Sequence, residues 1–139
     1  MSVLRLLLGA TLTIAVEAYL FLQFQPHDPR SGWFTHFFIG ATVALGCMTV
    51  WVAEEHRPVR LPGLWLVAGH LVAMFPDFLF AKGIAHRHWM DAFFGHLISH
   101  SAPGGNLLWY AVFLVALAVY LAVDVRTRSS QAAGGRRRA

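Results

Sequence analysis

The residues best suited to chemistry in this chain are histidines and carboxylates. The sequence of 139 residues holds eight histidines and seven acidic residues. Imidazole and carboxylate groups together are common ligands for zinc, iron and manganese. Two histidines four residues apart on a helix can bind one metal ion, and His96 and His100 have this spacing. The sequence therefore predicts a divalent metal site, with zinc favoured over iron or manganese.

Further metal donors precede this pair. His70 and Asp77 are seven residues apart, so on a helix they lie on one face, about 10 Å apart along its axis. The predicted ligands are therefore His70, Asp77, His88, His96 and His100.

Four more residues are predicted to act on a substrate beside the metal. Glu17, His86 and Asp91 could accept a proton, and Arg87 could pair with a phosphate or carboxylate. A metal that activates water would make such a site hydrolytic.

Long apolar runs must position these residues. The chain is 57% hydrophobic and 13% charged, whereas soluble domains have about 25% charged residues. Each run is about as long as the 20 residues that cross a bilayer as a helix. Together they predict an all-α, integral membrane four-helix bundle over residues 1–124. The runs cover residues 3–24, 34–53, 61–80 and 106–123.

Between the third and fourth runs, residues 86–101 show a helical period with an apolar face. This segment is too short to span a membrane. We expect a short amphipathic outer helix, either at the interface or folded back onto the bundle. On such a helix His88, His96 and His100 would lie along one side.

The charge distribution predicts orientation. Residues 125–139 are rich in arginine, serine, glycine and alanine, which predicts a disordered basic tail on the cytoplasmic side. With four spans the N-terminus is then also cytoplasmic, and the histidine-rich segment faces outward. We therefore expect a multi-pass protein of the cell membrane. No folded basic surface accompanies the tail, so we expect no nucleic-acid partner.

The segment from His70 to His100 resembles the YdjM-like membrane-bound metal-dependent hydrolases. The similar elements are His70, Pro76-Asp77, His86-Arg87 and Ser99-His100. They cover about a quarter of the chain. The resemblance implies that histidines and aspartates of these motifs bind a metal, and that the protein hydrolyses a substrate.

Three functions remain open from the sequence. The first is a metal-dependent hydrolase that acts on a lipid-linked or envelope substrate within the lipid bilayer. The second is a haem-binding or electron-transfer module in which His36 and His70 supply two axial imidazoles. The third is a non-enzymatic accessory subunit of a larger membrane complex. A homo-oligomer is compatible with each of them.

Overall fold

The computed structural model describes most of the chain after residue 31. The described residues are 8–9, 11–12, 14–16, 19, 32–85, 87–95, 103 and 105–136. The predictions made for Glu17, His86, His96 and His100 lie outside these ranges.

Three long helices account for most of the described residues. They are α1 (Gly32–Glu55), α2 (Pro62–Ala81) and α3 (Gly105–Arg136). Each contains a segment long and apolar enough to cross a membrane. The helices predicted for residues 34–53, 61–80 and 106–123 are thus confirmed. No strand occurs in the described ranges, and the all-α class is confirmed for them.

Only eight residues of the first predicted span are described. They are helical, and their large side chains Leu8, Leu12, Ile14 and Tyr19 are exposed. Long apolar helices with exposed leucine, valine and phenylalanine also characterise α2 and α3. Such surfaces are typical of helices that meet lipid or another apolar partner.

The central helix is α1, which packs against both α2 and α3. A short connection, residues 56–61, joins α1 to α2, so the two helices are antiparallel. The ring of Phe38 near the start of α1 contacts Tyr110 and Phe113 near the start of α3. At the other end, the Gln131 side chain donates a hydrogen bond to the His56 carbonyl at 2.8 Å. Thus α3 runs parallel to α1.

Two glycines bring the backbones of α1 and α2 together. A Cβ atom built on Gly40 would lie 2.7 Å from the carbonyl oxygen of Gly69, and one on Gly69 would meet the Gly40 carbonyl and Ala44. Ala44 and Ala73, each one turn beyond a glycine, are also buried. Small residues four apart allow this close approach, a common arrangement in membrane helix pairs.

The C-terminal residues differ from the prediction. A disordered tail was expected from residue 125, yet α3 continues to Arg136. Asp124 and Arg128, four residues apart, form an ion pair at 2.6 Å, which supports a helix here. The hydrogen bond from Gln131 to His56 fastens the next turn to the end of α1.

The segment between α2 and α3 also differs from the prediction. A continuous helix over residues 86–101 was expected, but His88–Ala92 forms a five-residue 3₁₀-helix instead. Phe94 and Gly95 then have φ values of 57° and 70°, in the left-handed region that stops a helix. The prediction of a single helical face running from His88 towards residue 100 is therefore wrong. The segment does fold back onto the bundle, because the Phe93 ring lies 5.1 Å from that of Phe75 on α2.

Candidate functional site

His36 on α1 is the most deeply buried histidine that the structure describes. Its exposed fraction is 1%, and its neighbour Thr35 is also buried. His36, Gly40 and Ala44 are spaced by four residues, so they share one face of the helix. Because Gly40 meets Gly69 on that face, His36 lies on the side of α1 that packs against α2.

His70 occupies the facing position on α2, directly after Gly69. It is 3% exposed, and its ring stacks on Phe37 with centroids 3.9 Å apart and planes 14° apart. Stacking covers a face of the imidazole ring. A metal binds at the ring edge, in the plane of the imidazole, so the stack fixes the ring without obstructing coordination.

Asp77 follows the buried Pro76 near the C-terminal end of α2, and its side chain is half-buried. Helix α2 continues through the proline. A proline inside a helix cannot donate the backbone hydrogen bond that the carbonyl four residues earlier expects. Pro76 and Asp77 therefore add, with His70, to the polarity of a largely apolar helix.

These three ionisable groups lie at different heights along the helix pair. His36 precedes Gly40 by four residues, about 6 Å. In an antiparallel pair that crosses at Gly40 and Gly69, this is close to the height of Ala73. His36 therefore falls between His70 and Asp77, which are separated by about 10 Å. The result is a polar column on the joined faces of α1 and α2.

Residues 87–95, between α2 and α3, cover α2 near this column. Met90 is fully buried, and Phe93 packs on Phe75, two residues before Asp77. Asp91 is half-buried, whereas Arg87 and His88 are exposed. Arg87, which was predicted to bind the substrate, is thus accessible, and the predicted metal ligand His88 lies at the surface.

The described residues contain part of the predicted ligand set. No three His, Cys, Asp or Glu side chains within the described ranges are placed closely enough to hold a metal ion. His70 and Asp77 share a face of α2 as predicted, but His88 does not complete a group with them. The other predicted ligands, His96 and His100, follow Gly95 outside the described ranges.

Comparison of the chain with protein-family models, with curated proteins and with solved structures found no match. Its function is therefore inferred from the geometry of the site.

His36 was absent from the predicted ligand set, although it is the most deeply buried of the described histidines. The sequence predicted that it lies near Glu17, His70 and Asp77 in the bundle, but as a ligand it was considered only for haem. The signal that could have found it is its four-residue spacing from Gly40 and Ala44. Small residues at this spacing predict where a neighbouring helix approaches, and a histidine in the same row must then be buried.

Proposed function

We propose that the chain is an integral membrane four-helix bundle that binds a divalent metal, zinc in preference to iron or manganese. The polar column would supply His70 and Asp77, and His36 would lie beside them. His96 and His100 would complete the ligand set. The observation that carries the proposal is the near-complete burial of two imidazoles on facing apolar helices. Buried ionisable groups inside membrane spans are costly and usually functional.

The donor chemistry agrees with the proposed metal. Neutral imidazole nitrogen and carboxylate oxygen are both zinc ligands. Neutral imidazole is the form that coordinates a metal. With both termini cytoplasmic, the column would lie in the outer half of a cell-membrane protein.

The proposed reaction is hydrolysis of a lipid-linked or envelope substrate. A metal bound in the column would act as a Lewis acid close to residues 87–95. Exposed Arg87 would bind a phosphate or carboxylate of the substrate, and half-buried Asp91 would accept a proton. Glu17 and His86 are the other proton acceptors in this proposal.

Haem ligation by His36 and His70 agrees less well with the helix geometry. Two axial histidines stand on opposite faces of the macrocycle, so their helices must be separated by it. A Cβ atom on Gly40 would lie 3.0 Å from the Cα atom of His70. The backbones of α1 and α2 are therefore too close beside His70 for a haem to lie between them.

The proposal is tested by metal analysis of the purified, full-length protein. Wild type should carry metal in a stoichiometric amount, and His70→Ala and Asp77→Asn should each lose most of it. His56→Ala is the matched control, because His56 is exposed at the opposite end of α1 and its removal should leave the metal content unchanged. Far-UV circular dichroism of each variant checks that the helices remain. Metal-free wild type, or full metal content in a folded His70→Ala variant, would contradict the proposal.

A further inference from the structure

A cavity of about 410 Å³ lies at the end of the bundle opposite the polar column. It is formed where α1 ends at Glu55 and α2 begins at Pro62. Its wall combines aromatic, aliphatic and basic side chains from both helices and their connection. The lining residues include Trp51, Arg57, Arg60, Leu64 and Trp65.

Two tryptophans form the apolar part of the wall. The rings of Trp51 on α1 and Trp65 on α2 lie 6.4 Å apart, and both are partly exposed, at 42% and 37%. Leu64 beside them is 63% exposed. Tryptophan is enriched at the level of lipid headgroups, where one side of the ring is apolar and the other is wet. This wall could therefore contact the upper part of an acyl chain.

Two arginines form the polar part of the wall. The Arg57 guanidinium is already engaged by Glu55. Arg60 is exposed, and among the described residues it forms no ion pair. A guanidinium presents a planar set of donors that matches a phosphate group. The cavity thus offers positive charge beside an apolar surface, in a volume typical of small-molecule sites.

We propose that this cavity binds the phosphate headgroup of an anionic phospholipid, with Arg60 as the principal phosphate ligand. Trp51 and Trp65 would contact the glycerol and the first acyl carbons. The site is separate from the proposed metal site and goes beyond it. Its position at the end of two candidate spans is the level at which a phospholipid headgroup meets a membrane helix.

Native mass spectrometry of the full-length protein in detergent tests the proposal. Dioleoyl phosphatidylglycerol and dioleoyl phosphatidylcholine are titrated separately, and their affinities are compared. Wild type should prefer phosphatidylglycerol, and Arg60→Gln should reduce this preference about fivefold, the effect of one basic residue near an anionic surface. Arg126→Gln is the matched control, because it removes an exposed arginine on α3 that does not line the cavity. The control should retain the wild-type preference.

Three results would overturn the proposal. Equal losses in Arg60→Gln and Arg126→Gln would show diffuse attraction to the basic end of the protein. Equal affinity of wild type for both lipids would show that the cavity does not recognise the anionic headgroup. Displacement of phosphatidylglycerol by excess inorganic phosphate would assign the cavity to free phosphate. Arg60 is an exposed residue of the connection, so its substitution should leave the fold intact, as checked by circular dichroism.

Discussion

Adding one methyl group at Gly69 should force α1 and α2 apart. In Gly69→Ala the new Cβ would lie 2.9 Å from the Cβ of Ala44 and would also collide with the Gly40 carbonyl. Neither obstacle can rotate away, because one is a backbone group and the other is fixed to the backbone. The two helices must therefore separate or slide.

The size of the effect follows from two opposing terms. Overpacking a tight contact costs about 1–3 kcal/mol, and the rigid neighbours place Gly69→Ala towards the upper end. Replacing glycine by alanine inside a helix stabilises it by up to about 1 kcal/mol. The free energy of unfolding should therefore fall by roughly 1–2 kcal/mol, the difference of these terms. Gly46→Ala on α1 makes the same chemical change with nothing within 4 Å, so it should retain only the favourable term.

Equilibrium unfolding in detergent, followed by far-UV circular dichroism, compares the two variants. Gly69→Ala should unfold at a lower denaturant concentration than wild type, and Gly46→Ala at the same or a higher one. If Gly69→Ala proved at least as stable as Gly46→Ala, the backbone contact between α1 and α2 would be refuted. The placement of His36 beside α2 would lose its support with it.

Two further predictions concern the ends of the helices. Gly83→Ala should lower the free energy of unfolding by roughly 1–2 kcal/mol, because Gly83 has a φ of 84°, which alanine rarely adopts. A Cβ at Gly83 would meet nothing within 4 Å, so the backbone strain alone sets the effect. An unchanged thermal midpoint would contradict this prediction. Arg128→Ala should lower the free energy of unfolding by about 1 kcal/mol, a value between the cost of losing an exposed ion pair and the cost of leaving a buried group without its hydrogen bond. The intermediate value is expected because Asp124 is only 9% exposed. Arg126→Ala is the control for Arg128→Ala. If the effects of Arg128→Ala and Asp124→Asn were additive in a double-mutant cycle, the ion pair would contribute nothing to stability.

The three long helices could be predicted because each apolar run is long enough to be recognised without tertiary information. The C-terminal turns of α3 could not, because composition alone suggested a tail. Their helix is supported by an ion pair within α3 and by the contact of Gln131 with His56. That contact joins residues 75 positions apart, and no local pattern reveals it.

The segment between α2 and α3 shows where a helical period is a misleading signal. Apolar residues recur every four positions over residues 89–98, which favours a continuous helix. Gly95 lies inside this period and takes a positive φ together with Phe94. Packing of Phe93 on Phe75 and burial of Met90 provide apolar contacts that do not require a regular helix. The helical prediction considered only the spacing of apolar positions, so it did not include the turn at Phe94 and Gly95 that these contacts favour.

The glycine contact also determines which polar groups can act together. His70 and Asp77 share a face of α2 through the helical repeat alone, so the sequence predicts their relation. His36 joins them only because Gly40 meets Gly69. A slip of one helical turn would move His36 by about 5.4 Å along α2 and out of its position between His70 and Asp77. The two glycines therefore do more than allow close packing. They fix the height of the His36 imidazole relative to His70 and Asp77 in the polar column.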